Sequence, residues 1–277
     1  MIATDILIIG AGPTGLFTVF EAGLLRLKCH LIDTLPHVGG QCSEIYPKKP
    51  IYDIPGFPQI LGNELIDNLM EQIKPFQPGF TMGERAEIIE RLNDGSFAVR
   101  TNKGTGHHAP IVVIAGGLGS FEPRKPLLEN LSKYEGKGIS YAIKDAEVYR
   151  NKKVVIAGGG DSALDWTNVL VDVASEVTLV HRRNEFRGAP DSVEKVQKLK
   201  NEKRINLVAP AEIVGLKGKH TLKSLSIGSS ADPSKNFDLE VDNFIPLFGF
   251  LPKLGPIADW GLEIERNAIK VDNASDY

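Results

Sequence analysis

The stretch Asp5-Ile-Leu-Ile-Ile-Gly10-Ala-Gly12-Pro13-Thr14-Gly15 decides the fold. An unbroken apolar run breaks into three glycines at G-x-G-x-x-G spacing. The next residues, Leu16 to Leu25, read as a helix. Gly10 permits the tight turn, Gly12 leaves room beside bare backbone, and Gly15 lets helix and strand pack closely. The helix N-terminus then offers unpaired N–H groups and the positive end of its dipole to an anion. The following strand, Cys29-His-Leu-Ile-Asp33, ends on a carboxylate suited to a ribose diol. A glycine pattern alone is weak evidence, because a Gly-rich connection in an unrelated α/β fold looks the same. Strand, helix and acid together make it a dinucleotide site.

The same grammar returns downstream. Lys153-Val-Val-Ile-Ala-Gly158-Gly159-Gly160-Asp161-Ser162-Ala163 precedes a helix read over Leu164 to Ala174, and then a strand Glu176-Val-Thr-Leu-Val-His181. Here Ala163 stands for the third glycine, and the strand ends on His181-Arg182-Arg183 with Arg187 four residues on. Arginines at that point bind a 2′-phosphate that a carboxylate would repel. The first unit is therefore expected to take a cofactor with a free ribose diol and the second NADP(H). A solvated surface face is the bland alternative for the basic run.

Two βαβ units predict an α/β chain with two Rossmann-like three-layer (ββα/βαβ) nucleotide-binding domains. We expect boundaries at 1–118 for the first nucleotide-binding domain, with 252–277 returning toward it, and 119–251 for the NADP(H)-binding domain. Between the units lie a Pro- and Gly-rich stretch (Tyr46 to Pro58), a helix over Leu65 to Ile73, a strand Phe97 to Thr101 and an apolar run Ile111 to Ala115. Beyond them, strands are read within Asn206 to Ile227, joined by a Gly-Lys turn, and over Phe244 to Phe250.

Composition agrees with a globular protein of this kind. The 277 residues are 42% hydrophobic and 24% charged, and 32 basic against 35 acidic residues give a net charge of -3. That balance argues for neither nucleic acid nor a membrane surface, and no apolar run reaches the ~18 residues of a membrane helix. The expected location is the cytoplasm. Cys29 and Cys42 are the only cysteines, without metal spacing, so no metal and no structural disulfide is expected.

The order of motifs resembles the thioredoxin-reductase superfamily: the two glycine turns, Val38-Gly39-Gly40-Gln41, Tyr52-Asp53-Ile-Pro-Gly-Phe-Pro and His181-Arg182-Arg183. Narrower details resemble the thioredoxin-reductase-like branch of ferredoxin–NADP+ reductases. They are Tyr46-Pro-Lys, Phe121-Glu-Pro-Arg-Lys, Asp161-Ser-Ala-Leu-Asp-Trp166 and Gly255-Pro-Ile-Ala-Asp-Trp-Gly261. The resemblance implies FAD contacts at Gly10, Gly12, Pro13, Thr14, Gly15, Asp33, Gly40, Gln41, Tyr46, Asp53, Ala86 and Phe121. It implies NADPH contacts at Gly158, Gly159, Gly160, Asp161, Ser162, Ala163, His181, Arg182, Arg183 and Arg187.

The dithiol of thioredoxin reductases is missing, since Ser140-Tyr-Ala-Ile-Lys-Asp145 stands where it would be. Cys42 also lacks a partner cysteine, position 47 being proline. The implied reaction is hydride transfer from NADPH to FAD, followed by single electrons to ferredoxin or flavodoxin, with no side-chain acid, base or nucleophile. Alternatives are an NADPH-binding remnant without stable FAD and a diaphorase or quinone-type reductase. The resemblance also implies a homodimer. A basic docking surface for the acidic carrier is sought in residues 181–204, where Lys195, Lys198, Lys200, Lys203 and Arg204 fall. The chain ends at Val271-Asp-Asn-Ala-Ser-Asp-Tyr277 without the Gly-Asp segment of the superfamily, so the FAD domain is expected to be incomplete on its C-terminal side and to hold FAD weakly.

Overall fold

Strand Ile6–Ile9 is buried along its whole length, with Ile6 and Ile8 facing one apolar cluster and Leu7 and Ile9 another. A strand covered on both faces has no reason to alternate polar and apolar residues, which is why the run reads as continuous. Leu7 and Ile8 are fully buried, and each such side chain contributes roughly 1.5–3 kcal/mol. The computed structural model describes residues 1–119, 122–229 and 232–271. These divide into two compact units, one of Met1–Glu122 with the chain from Leu251 onward, the other of Pro123–Phe250.

In the first unit, Ile6–Ile9 lies between Ile111–Ile114 and Cys29–Asp33, and Gly79–Met82 completes a parallel sheet. Helices Pro13–Leu24 and Gly62–Ile73 pack on one face through Leu16, Val19, Leu65, Ile66 and Leu69. A second sheet of Ile2–Ala3, Gly106–Ala109, Phe97–Thr101 and Ala86–Arg91 packs on the other, through Ala86, Val99 and Ala109. Three buried polar residues bridge the sheets. His30 Nε2 lies 2.8 Å from Thr81 Oγ1, which lies 3.0 Å from His107 Nε2. Burial, and then the neighbouring His107, push His30 down to about 4.

The second unit repeats the parallel core in the order Asn206–Val208, Glu176–Val180, Lys153–Ala157, Asn243–Pro246. Helices Asp161–Leu170 and Pro190–Asn201 pack together. An antiparallel sheet of Glu212–Lys217, Ser224–Ser229 and Asp232–Glu240 covers Val155 and Ala157 with Leu225 and Ile227.

Four expected boundaries shift. The helices after the glycine turns begin at Pro13 and Asp161 rather than Leu16 and Leu164, because Gly12 and Gly160 are their extended N-cap residues. The second of them stops at Leu170, short of Ala174. The strand expected over Phe244 to Phe250 ends at Pro246. After it Leu247 donates once to Ala157, and Gly249 turns the chain with φ +85.

Candidate functional sites

Both glycine turns are held by close backbone approach. A Cβ on Gly10 would lie 2.3 Å from the Ala115 carbonyl oxygen, and one on Gly15 only 2.0 Å from the Gly10 carbonyl oxygen. Gly15 therefore acts by packing and does not line the cavity beside the turn. A Cβ on Gly12 would meet nothing nearer than the Gly40 Cα at 3.9 Å. That open face, with no side chain capping the helix N-terminus, is the cradle a pyrophosphate needs.

The cavity beside it has a volume of about 560 Å³. It brings together Gly10, Gly12, Pro13, Thr14, Asp33, Gly40, Gln41, Tyr46 and Ala86. Most come from the C-terminal ends of parallel strands and the loops behind them, as expected for ligand sites in such sheets, while Ala86 opens an antiparallel strand of the second sheet. Asp33 accepts from the Ala11 N–H at 2.7 Å through Oδ2 and from the Leu35 N–H at 2.9 Å through Oδ1. The acid thus ties the glycine turn to its own strand end. Gly39 donates to the Ala11 carbonyl at 2.8 Å, which lays the Gly39-Gly40-Gln41 loop over the turn. Burial pushes the Tyr46 phenol up to about 12, helped by the hydrogen-bonded Cys42 thiol and then by Asp53. The Cys42 thiol is itself pushed up by burial. Asp53 stays exposed and outside the cavity lining. Phe121 lies outside the described residues, as do Asp272 and Asp276.

In the second unit a cavity of about 710 Å³ joins Gly158, Gly159, Gly160, Asp161, Ser162, His181, Arg182 and Arg187. A Cβ on Gly160 would meet nothing within 4 Å, and no side chain caps this helix either. Ala163 is buried against Gly158 and does not line the cavity, and neither does Arg183. Arg182, Arg183 and Arg187 are exposed and have no carboxylate partner among the described residues. His181 is buried and stacks on Phe186, ring centroids 5.0 Å apart. Its Nε2 donates to the Glu185 carbonyl at 3.0 Å. Burial above all, and then the nearby arginines, hold its pKa below the usual histidine value, against the raising effect of that bond.

Sequence reasoning missed several lining segments. Glu84, Arg85, Gly116 to Gly119 and Lys253 to Ile257 border the first cavity, and Arg124, Glu212 and Phe248 the second. Gly255 to Ile257 and Arg124 fall in stretches that carry the family resemblance, and the Gly116-Gly117 pair after an apolar run is a usable signal; the others carry no local mark. Within the basic stretch, Lys195 pairs with Asp191 at 2.7 Å, Lys198 with Glu202 at 4.0 Å, and Arg204 with Asp172.

Two glycine-turn cavities, one closed by a carboxylate and one by arginines, define a protein of the two-dinucleotide oxidoreductase class. The pyridine nucleotide-disulphide oxidoreductase family pattern matches residues 4–276. Ferredoxin–NADP reductase 1 of Christiangramia forsetii is 69% identical, and the ferredoxin–NADP reductase of Flavobacterium johnsoniae 66% identical. Each match takes in 100% of this chain and 78% of the relative. The thioredoxin reductase of T. acidophilum shares the fold, with a TM-score of 0.85 at 21% identity over 99% of this chain and 86% of that one. The chain belongs to the pyridine nucleotide-disulphide oxidoreductase family and, within it, to the ferredoxin–NADP reductases.

Proposed function

We propose that this chain is an NADPH-dependent flavoprotein that exchanges electrons with ferredoxin or flavodoxin, FAD held in the first unit and NADPH in the second. The observation that carries the reading is the opposite charge at matching strand ends, Asp33 in one cavity and Arg182 with Arg187 in the other. FAD held there would supply the redox chemistry that links a two-electron hydride donor to a one-electron carrier.

The protein's own residues bind and orient. The uncapped helix at Pro13 receives the FAD pyrophosphate, and Asp33 offers its remaining lone pairs to the ribose. Gln41, Tyr46 and Ala86 line the same cavity, with the half-buried Tyr46 phenol kept protonated. Gly160 and Ser162 receive the NADPH pyrophosphate, and Arg182 and Arg187 its 2′-phosphate. Both cysteines are free and buried, and burial pushes the Cys29 thiol up to about 11. Neither thiol is an attacking thiolate at neutral pH, so electrons leave without a thiol relay, which favours a soluble one-electron carrier over a disulfide substrate. We place the reaction in the cytoplasm, where free thiols persist. A homodimer rests on the family resemblance.

The test is the visible absorption spectrum of the purified protein before and after anaerobic NADPH addition, followed by ferredoxin. A flavin spectrum that NADPH bleaches and ferredoxin restores is expected. A protein that binds NADPH but takes up no FAD on reconstitution would overturn the reading.

A further inference from the structure

The arginines expected to read the 2′-phosphate sit on an irregular segment between strand Glu176–Val180 and helix Pro190–Asn201. Loops of this kind are ordinarily mobile, yet this one is fastened to the glycine turn at three points. The Arg187 N–H donates to the Gly159 carbonyl at 2.7 Å. The Ala189 N–H donates to Asp161 Oδ1 at 2.7 Å. The His181 ring lies under Gly159, where a Cβ would come within 2.2 Å of it, and its Nε2 holds the Glu185 carbonyl. Gly188 completes the seat, because a Cβ there would lie 2.5 Å from Leu164 Cδ1 and 3.1 Å from Asp161 Oδ1.

Asp161 is the informative member. Its carboxylate stands in the first turn of the helix whose N-terminus faces the cavity. Coulomb's law alone makes a negative charge there unfavourable to a bound phosphate. Its Oδ1 is instead spent on a backbone N–H 28 residues away.

We propose that Asp161 is a positioning residue for NADPH selectivity: by holding Ala189 it fixes the arginine segment over the cavity, so that Arg182 and Arg187 meet the 2′-phosphate at low ordering cost. The inference rests on the assignment of the second cavity to NADPH. It goes beyond that assignment in giving the acid a role that its charge alone would not predict. Ordering a segment before the ligand arrives is how preorganisation strengthens binding.

Equilibrium binding of 2′,5′-ADP and 5′-AMP, which differ by the phosphate in question, tests the proposal on the whole chain. Asp161→Ala removes the acceptor. Ala189→Pro removes the donor from the other side while leaving the carboxylate in place, and the Ala189 φ of -53° suits proline. Both are expected to weaken 2′,5′-ADP by about tenfold, the worth of roughly one hydrogen bond to a charged group, with 5′-AMP little changed. Asp161→Asn keeps an acceptor oxygen and should keep most of the preference, which covers the case of an Ala or Pro variant that fails to fold.

Tighter 2′,5′-ADP binding in Asp161→Ala and Asp161→Asn alike would mean that the carboxylate acts only by its charge, and would overturn the proposal. Equal losses for both ligands would reduce Asp161 to general scaffolding, with the same consequence. The paired control is Arg182→Ala with Arg187→Ala. If it leaves the ratio of the two affinities unchanged, the NADPH assignment itself falls and the proposal with it. If it collapses the ratio while Asp161→Ala and Ala189→Pro do not, only the tether falls.

Discussion

The two glycine turns answer one steric problem in two ways. In the first, a Cβ at the third motif position would strike backbone, 2.0 Å from the Gly10 carbonyl oxygen, so only glycine fits. In the second, Ala163 carries a methyl group at that position in full burial, and the nearest obstruction falls instead on Gly158. The strand ends diverge as well. Asp33 is drawn inward onto the Ala11 and Leu35 N–H groups, while Arg182 and Arg187 remain exposed without a carboxylate partner among the described residues. A shared local fold therefore presents the same uncapped helix N-terminus in both units and leaves the strand end free to differ in charge.

The sharpest way to break this comparison is to exchange the third residues. Gly15→Ala should abolish cooperative folding of the first unit or cost more than the ~1–3 kcal/mol usual for overpacking, because the Gly10 carbonyl it would strike is backbone and cannot swing aside. Ala163→Gly should cost about 1 kcal/mol, the usual penalty of glycine inside a helix. Urea unfolding of both variants checks the pair, and equal losses would end the distinction. Next in size, Arg182→Ala with Arg187→Ala should weaken NADP+ about 100-fold while sparing NAD+, each charged hydrogen bond contributing roughly 1.5–3 kcal/mol. Fluorescence titration would show it.

Asp33→Ala should weaken FAD by about tenfold, since it loosens the turn as well as the ribose contact. Asp33→Asn, which retains one acceptor, should fall between that variant and the parent in an FAD titration. The smallest effect at neutral pH concerns the histidines between the sheets of the first unit. Native His30 titrates only near pH 4, whereas in the unfolded chain it titrates near its ordinary 6.5. Between those values the unfolded state binds a proton that the native state refuses. Stability is therefore full above pH 6.5 and falls as the pH drops toward 4. His107 in the same cluster is also held below the usual histidine value, by burial above all, with Glu84 drawing it upward and the N-terminal ammonium pushing it further down. Urea midpoints between pH 7 and 4 should decline less steeply in His30→Asn than in the parent.

Much of both sites was legible because Rossmann units concentrate their chemistry in a short span. The turn glycines, Asp33, Arg182 and Arg187 lie within about thirty residues of the strand that opens each unit. The unread parts lie far off in sequence. Trp260 Nε1 donates to the Glu87 carbonyl at 3.2 Å, and Lys253 to Ile257 reach the first cavity from the other end of the chain. No spacing rule links such positions. The strand read over Phe244 to Phe250 runs too far because its apolar residues mask the two breaking residues inside it, Pro246 and Gly249. His181 reads as the first letter of a phosphate motif, yet it lies under Gly159 and supports the loop.

By itself the sequence determined the two βαβ units, their glycine turns and the sign of charge at each strand end. Those depend on residue type and spacing along one continuous stretch. Only the tertiary structure decided that Asp53 stands outside the first cavity, that Arg183 does not line the second, and that Asp161 spends an oxygen on Ala189. Such outcomes are set by which backbone groups need partners after packing, and packing joins residues that the chain keeps far apart.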